Sequence, residues 1–159
     1  MSPQEIIEKL REQFREAILD AKVEGVLNPF VKVSPASMLD VAIYVRSHPK
    51  LDFDFMMCLS GVDYGKGTLG VVYHLASMTH RHKITIKVEA PKDNAVVPSV
   101  DSIWQAANWH EREAFDLYGI TFTGHPDLRR ILLPEDWEGH PLRKDYKVPE
   151  FYQGMKVPY

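Results

Sequence analysis

Five prolines in the last 35 residues constrain the fold of this chain more than any other feature. Proline lacks a backbone N–H and its ring clashes with the preceding turn, so no long helix or central strand can pass through this segment. Regular hydrophobic periodicity also stops at Gly124. We therefore predict a compact body over residues 1–124 and an extended tail over residues 125–159. The prolines are Pro126, Pro134, Pro141, Pro149 and Pro158.

Three helical segments are predicted in the body. Ser2, Pro3 and Glu5 form the N-cap, first position and capping-box acid of the first helix. A second helix is expected to begin after Ser34-Pro35 and to end at His48-Pro49. Residues 99–118 predict two short helices with a break near Asn108, and Gly119 is the expected C-cap.

The remaining body segments alternate apolar and polar residues, as strands do. Residues 18–25 and 28–35 predict a strand pair, and residues 51–62 a further strand. Residues 68–78 and 83–91 flank THRH and predict a hairpin. The fold class is therefore α+β: an antiparallel sheet of about four strands, two to three packed helices and an extended C-terminal strap.

Composition excludes several functions. The formal net charge is −3, so no basic field points to nucleic acid or an anionic membrane. The single cysteine, Cys58, cannot form an internal disulfide or supply the four thiolates of an iron–sulfur cluster. No run approaches the ~20 apolar residues that span a bilayer. The first 14 residues have no apolar core, so we expect no secretory signal.

Three weak motifs are interpreted structurally. Residues 60–68 (SGVDYGKGT) lack the spacing of a phosphate loop and predict a glycine-rich turn. His80 and His82, with His74 expected opposite, are interpreted as an exposed hairpin end rather than a metal site. Cys58 has apolar neighbours and no adjacent base, and we expect it to be a buried small hydrophobe.

The segment HEREAFDLYGITFTGHPDLRRIL (110–132) is the one stretch dense enough in charge to suggest an active site. On a helix, Arg112 and Asp116 stand at i and i+4 and can pair. Glu111 and Glu113 point to different sides, so they are poorly placed as cooperating carboxylates. The hypothesis is a structural charge network: Arg112 with Asp116, and Glu111 and Glu113 with Arg129, Arg130 or His125.

The tail combines aromatic residues with six basic and six acidic ones. A disordered segment is poorer in aromatics, and a phosphate groove is net positive. An apolar, Arg-rich strap without its own periodicity is typical of a protein–protein interface. A stand-alone hydrolase and a nucleic-acid adaptor are alternatives, distinguished by turnover of the purified chain and by steep salt dependence of binding.

The sequence resembles the 30-kDa subunit family of respiratory complex I, densely over residues 99–146. The resemblance rests on Glu111-Arg112-Glu113, Asp116-Leu117-Tyr118 and two later segments. Those segments are Gly124-His125-Pro126-Asp127-Leu128-Arg129-Arg130-Ile131-Leu132 and Gly139-His140-Pro141-Leu142-Arg143-Lys144-Asp145-Tyr146.

The resemblance implies a cofactor-free structural subunit in the hydrophilic arm of a proton-pumping NADH:quinone oxidoreductase. Its expected partners are the 49-kDa quinone-pocket subunit and the subunit with the terminal iron–sulfur cluster, and the ferredoxin-like subunit is a further candidate. FMN, iron–sulfur clusters and quinone would be bound by other chains. The expected location is peripheral, on the cytoplasmic face of the bacterial inner membrane. Because the chain ends at Tyr159, we expect a form not fused to its neighbour.

Two expectations stay open. The same kind of subunit occurs in membrane-bound NiFe hydrogenases, formate hydrogenlyase and other complex I-like oxidoreductases, and this chain does not reveal the electron donor. No catalytic, cofactor or metal residues are assigned. The residues expected at partner interfaces or in the structural motif are Glu111, Arg112, Glu113, Asp116, His125, Arg129, Arg130, Arg143, Lys144, Asp145 and Tyr146.

Overall fold

Five strands build the main sheet of the computed structural model, which describes residues 1–157. Their order across the sheet is β1-β2-β5-β4-β3. All neighbours are antiparallel except β2 and β5, which run parallel, and β5 lies between β2 and β4. The prediction of a mostly antiparallel α+β fold is confirmed, with one more strand than expected. The strands are β1 (Ile18–Lys22), β2 (Phe30–Val33), β3 (Phe55–Gly65), β4 (Thr68–Ala76) and β5 (Lys83–Pro91).

Three α-helices accompany the sheet: α1 (Pro3–Phe14), α2 (Met38–Ser47) and α3 (Ala107–Tyr118). The predicted capping box of α1 is confirmed. The amide of Glu5 donates to Ser2 Oγ, and the amide of Ser2 donates to Glu5 Oε2 at 2.7 Å. The second helix also ends as predicted, at a C-cap on His48. Local signals therefore placed both helices correctly.

One hydrophobic cluster joins the helices to one face of the sheet. Alternate residues of β2, β4 and β5 are fully buried in it, whereas the opposite face carries an ion pair between Lys32 and Glu89. The buried members from α1, α2 and these strands include Ile6, Ile7, Leu10, Met38, Val41, Ala42, Val45, Val31, Val33, Leu69, Val71, Tyr73, Leu75, Ile86 and Val88.

The prediction of two short helices over residues 99–118 is wrong. Residues 101–106 form turns, and α3 runs without a break from Ala107 through Asn108. The physical reason is Trp104, which is buried in the core and donates its indole N–H to the carbonyl of Phe53 at 2.8 Å. Burying this ring holds the preceding residues in turns until α3 begins. Gly119 is confirmed as the C-cap, with a left-handed φ of 71°.

The weak motifs mostly resolve as expected. A turn at Lys66 and Gly67 joins β3 to β4, as predicted. His80 and His82 donate Nε2–H to the carbonyls of Pro49 and Leu51, but His82 is buried rather than exposed.

Two details of these motifs were wrong. His74 pairs with Thr85 in the sheet and is not opposite the hairpin end. Cys58 is only half-buried, because it pairs with His74 on the sheet face opposite the core residues Leu59 and Tyr73, where its Sγ lies 3.3 Å from Ser60 Oγ. Within residues 1–157, no group of three or more His, Cys, Asp or Glu side chains is arranged to hold a metal ion.

After α3 the chain follows the body with little regular structure. Strand β7 (Thr121–Thr123) pairs in parallel with β6 (Val96–Pro98), and β8 (Phe151–Tyr152) and β9 (Met155–Lys156) form a small hairpin. Between β7 and β8 no helix or strand forms. The division into a body and a docking tail stays a prediction, and its last two residues, Pro158 and Tyr159, lie outside the described ones.

Candidate functional site

A buried carboxylate at the end of α3 fastens the tail to the body. Asp116 Oδ2 accepts hydrogen bonds from three consecutive tail amides, those of Ile131, Leu132 and Leu133, at 3.0, 2.8 and 2.9 Å. Its other oxygen, Oδ1, accepts from Arg130 Nη1 at 2.7 Å. We call this arrangement the Asp116 clasp. It binds the tail through backbone groups, so it fixes the path of the chain as well as one side chain.

The clasp determines the protonation state of Asp116. Burial alone would raise the pKa of this carboxyl group. Hydrogen bonds from the amides of Leu133 and Leu132, from the Arg130 guanidinium and from the amide of Ile131 outweigh burial and hold the pKa below its ordinary value. A carboxylate that stays ionised and accepts four hydrogen bonds is an anchor rather than a proton carrier.

Arg130 extends the clasp to later parts of the tail. Besides Asp116, its guanidinium donates from Nη2 to the carbonyls of Trp137 and Gly139 at 2.9 and 3.1 Å. One planar cation therefore joins the end of α3 to two later points of the tail, which its rigid fork of donors allows.

The predicted ion pair between Arg112 and Asp116 is wrong. Arg112 is buried and donates from Nε and Nη2 to the carbonyls of Arg129 and Arg130, both at 3.2 Å. The i,i+4 spacing permits the pair, but the oxygens of Asp116 already accept from the tail. Arg112 is thus a second anchor, because it binds the tail backbone just before the segment that Asp116 holds.

Glu111 does not contact the tail, so its predicted pairing with Arg129, Arg130 or His125 is wrong. It is fully buried and accepts from Ser99 Oγ at 2.6 Å and from the amide of Val100 at 2.8 Å. Burial raises its pKa to about 7, and the two hydrogen bonds oppose that rise only in part. Glu111 therefore ties α3 to Ser99 and Val100, which directly follow β6.

The other charged residues of the segment are less engaged. Glu113 is exposed and forms no ion pair with any residue in the described part of the chain, so its predicted basic partner is also wrong. Among residues 1–157, Arg129 forms its one ion pair with Asp127, two residues earlier, at 2.8 Å in an exposed position.

The two Gly-His-Pro segments of the tail meet opposite ends of α3. His125 Nε2–H donates to the carbonyl of Asn108, at the start of the helix, at 3.2 Å. His140 Nδ1–H donates to the carbonyl of Asp116, in the last turn, at 2.9 Å. Burial lowers the pKa of His140, so a neutral ring is favoured. The sequence analysis did not include His140 among the site residues. The Gly-His-Pro motif that it shares with His125 is the signal that could have identified it.

Further along, the tail is fastened to the end of α3. Arg143 Nε donates to the carbonyl of Tyr118 at 2.6 Å. The amide of Leu142 donates to the carbonyl of Leu117 at 3.1 Å. Gly119 has no room for a side chain: a Cβ there would lie 2.5 Å from both Arg143 Nη2 and His140 Nε2. The glycine thus serves both the left-handed cap and the close approach of the tail.

The last predicted interface residues bind within the chain as well. The amide of Lys144 donates to Asp63 Oδ2 at 2.8 Å, and Asp145 forms an ion pair with Lys92. Tyr146 Oη accepts from the indole N–H of Trp137 at 3.1 Å. Asp63 lies 81 residues before Lys144, so no local pattern could have revealed this contact.

The structure is thus an α+β body whose last helix clasps an extended tail through buried charged groups. A family model described as the 30-kDa subunit of respiratory-chain NADH dehydrogenase matches residues 31–152. The chain belongs to this family.

Two relatives and two solved structures are informative. Both relatives are the NADH-quinone oxidoreductase subunit designated C, one from Chloroherpeton thalassium and one from Chlorobium phaeobacteroides. The chain is 51% identical to each of them, with 94% of the chain covered in each case. It spans 63% of the first relative's length and 92% of the second's.

The solved structures share the fold at 26% sequence identity. The trypsin-resistant fragment (1-134) of Nqo5 has a TM-score of 0.68 and covers 80% of this chain and 100% of its own. A chain of the membrane-bound sulfane sulfur reductase, an archaeal respiratory membrane complex, has a TM-score of 0.73 and covers 91% and 85%. In residues 1–157, no helix is both long and apolar enough to cross a membrane.

Proposed function

We propose that this chain is a cofactor-free structural subunit of the hydrophilic arm of a proton-pumping NADH:quinone oxidoreductase. It holds the 49-kDa quinone-site subunit and the terminal iron–sulfur subunit. The complex moves electrons from NADH through FMN and iron–sulfur centres, bound by other chains, to quinone. The chain is placed peripherally on the cytoplasmic face of the bacterial inner membrane.

The observation that carries this proposal is the Asp116 clasp. Its charged groups bind the backbone of the tail. Asp116 accepts hydrogen bonds from three tail amides, and Arg112 and Arg130 together donate to four tail carbonyls. Arg130 also donates to Asp116. Side chains that already make these hydrogen bonds are poorly placed for general acid–base catalysis, which needs a substrate within hydrogen-bond reach. These hydrogen bonds lie on the side of the tail that faces α3, so the opposite side of the tail faces outward.

Surplus apolar surface supports a docking role for the tail. Large apolar side chains of the tail point into solvent, whereas the buried core residues come from other segments and Leu128 of the tail packs against them. A short segment with several large exposed apolar residues is typical of a protein interface. The exposed members are Leu132, Leu142, Val148, Phe151 and Met155.

A second candidate is the equivalent subunit of another complex I-like oxidoreductase, such as a membrane-bound NiFe hydrogenase or formate hydrogenlyase. One observation favours keeping it. The likeness to a sulfane sulfur reductase chain is as extensive as the likeness to Nqo5, at the same sequence identity. The scaffold role is common to both candidates, and only the reaction of the whole complex differs.

The test is a mild-detergent purification from source membranes with a tagged form of this chain, followed by identification of the co-purifying subunits. Recovery of the quinone-site and terminal-cluster subunits with NADH:quinone activity supports the first candidate. Recovery with a hydrogenase large subunit supports the second. A chain that is recovered alone, from membranes in which the complex is intact, contradicts both.

A further inference from the structure

The two edges of the main sheet differ in a way that calls for a partner. Strand β1, at one edge, has five residues and carries Asp20 and Lys22. Strand β3, at the other edge, has 11 residues, and its first eight, 55–62, contain no charge. Natural proteins protect open edges with short strands and charged side chains. The β1 edge is protected in this way, whereas β3 has only irregular pairing near its two ends.

The free edge of β3 borders a groove. Four consecutive residues, 58–61, line one side, and residues of α3 line the other, in a volume of about 310 Å³. Successive side chains of a strand point to opposite faces of the sheet. Four consecutive residues can therefore line one groove together only along their backbone edge. In residues 1–157, the backbone of residues 58–62 receives no hydrogen bond from outside the β3–β4 pair. The groove therefore offers unpaired amides and carbonyls beside an apolar wall.

The groove also has a definite charge. Glu113 and His110 line it from α3, and Glu113, the acidic residue of the lining, is exposed and without an ion pair among the described residues. Leu117 and Leu142 supply apolar surface. An occupant therefore needs a basic residue beside apolar ones. A second copy of β3 does not fit, because FMMCLSGVDYG has no Lys or Arg and would bring Asp63 instead.

We propose that the edge of β3 and the adjoining groove bind an extended segment of a partner subunit by strand addition. That segment pairs its backbone with residues 58–62, places alternate apolar side chains in the groove and sets a Lys or Arg against Glu113. Main-chain hydrogen bonds give such a contact its strength, and the alternate side chains give it specificity. This inference deepens the proposed function and rests on it, since the partner is another chain of the complex.

The first test compares amide hydrogen exchange of the chain alone and in the purified complex. Peptides covering residues 55–62 are expected to exchange at least about tenfold more slowly in the complex, which corresponds to about 1.4 kcal/mol of added protection. Peptides covering β1 serve as the internal control and should change little. This test needs no variant, so it does not depend on how well a mutant folds.

The second test uses matched variants in the full chain. Phe55→Lys puts a charge on the β3 edge, and Leu19→Lys puts one on the β1 edge at a position of similar exposure (50% against 55%). Of these two variants, Phe55→Lys is expected to lower recovery of the partner subunit and Leu19→Lys is not. Glu113→Lys should also lower it, while Glu12→Lys on α1, likewise exposed, should not. Circular dichroism and the melting temperature check that each variant folds.

The outcomes separate the two proposals. Slower exchange at residues 55–62, together with cross-links from a photoreactive residue in place of Phe55 to a Lys- or Arg-containing extended segment of one subunit, supports strand addition. Unchanged exchange in an intact complex overturns it and leaves the proposed function standing. Protection that appears in the isolated chain as its concentration rises shows self-pairing of β3 and overturns it as well. A chain that joins no complex at all contradicts the proposed function itself.

Discussion

Replacing Arg130 with alanine tests whether the tail depends on the Asp116 clasp. The change removes the hydrogen bond and ion pair to Asp116 at 2.7 Å and the bonds to the carbonyls of Trp137 and Gly139. The Asp116 side chain is fully buried, and that of Arg130 is 17% exposed. The variant therefore leaves a buried carboxylate without its cation and two tail carbonyls without a donor.

The expected cost follows from this geometry. Breaking a buried ion pair on one side costs about 3–5 kcal/mol, and the partial exposure of Arg130 places the value near the lower end. The three amides that remain on Asp116 keep the carboxylate solvated in part. A loss of about 3 kcal/mol in tail attachment raises the detached population roughly a hundredfold, since about 1.4 kcal/mol corresponds to a factor of ten.

Arg129→Ala is the matched control. Arg129 is the preceding residue and carries the same charge, but its side chain is 63% exposed and, in the described part of the chain, its ion pair is with Asp127 alone. Exposed pairs contribute about 0–1 kcal/mol, so this variant should leave the tail attached. Arg130→Lys should fall between the two, because an ammonium keeps the charge but loses the planar fork.

The assay follows the tail directly. Hydrogen exchange of the amides of Ile131, Leu132 and Leu133 reports release from Asp116, and chymotrypsin cleavage after Trp137 reports exposure of the tail. Both rates should rise roughly a hundredfold in Arg130→Ala, by the cost given above, and remain near wild type in Arg129→Ala. Equal behaviour of the two variants would refute the reasoning, because net charge rather than the clasp would then control the tail.

Three further predictions concern the same region. Because the pKa of Glu111 is raised from 4.5 to about 7, the folded state holds its proton more tightly, and stability should fall by up to about 3 kcal/mol as pH rises through this window. Glu111→Gln should abolish that slope in urea unfolding measured at pH 5 and pH 8, and an unchanged slope would exclude Glu111 as its source. Asp116, whose pKa is lowered, contributes in the opposite sense: its stabilisation is present above its ordinary pKa of 3.8 and is lost as pH falls through the lower folded value. Asp116→Asn removes the negative charge and puts a side-chain NH₂ group among hydrogen-bond donors. Hydrogen exchange of the amides of residues 131–133 should therefore be fast even at neutral pH. Gly61→Ala puts a Cβ 2.5 Å from Tyr118 Cδ2 and should cost about 1–3 kcal/mol in thermal unfolding, with a smaller loss when Tyr118 is also replaced by leucine.

Local sequence signals predicted those parts of the fold that depend on neighbours along the chain. The Ser2–Glu5 capping box, the end of α2 at His48 and the left-handed cap at Gly119 all involve residues within four positions of one another. Alternation likewise revealed β1–β2 and the β4–β5 hairpin. The parallel pairing of β2 with β5 was missed, because it joins strands separated by α2, β3 and β4.

The charged segment shows the limit of such reasoning. The sequence by itself determined that residues 110–132 hold a dense set of charges, that the prolines keep the tail extended and that the chain resembles a known family. It did not determine which charge meets which group. Helical spacing favoured Arg112 with Asp116, whereas the folded chain gives Asp116 three tail amides and Arg130 instead. Only the tertiary structure decided this, because a buried carboxylate is stabilised most where several donors converge, and these donors come from 14 to 17 residues further along the chain.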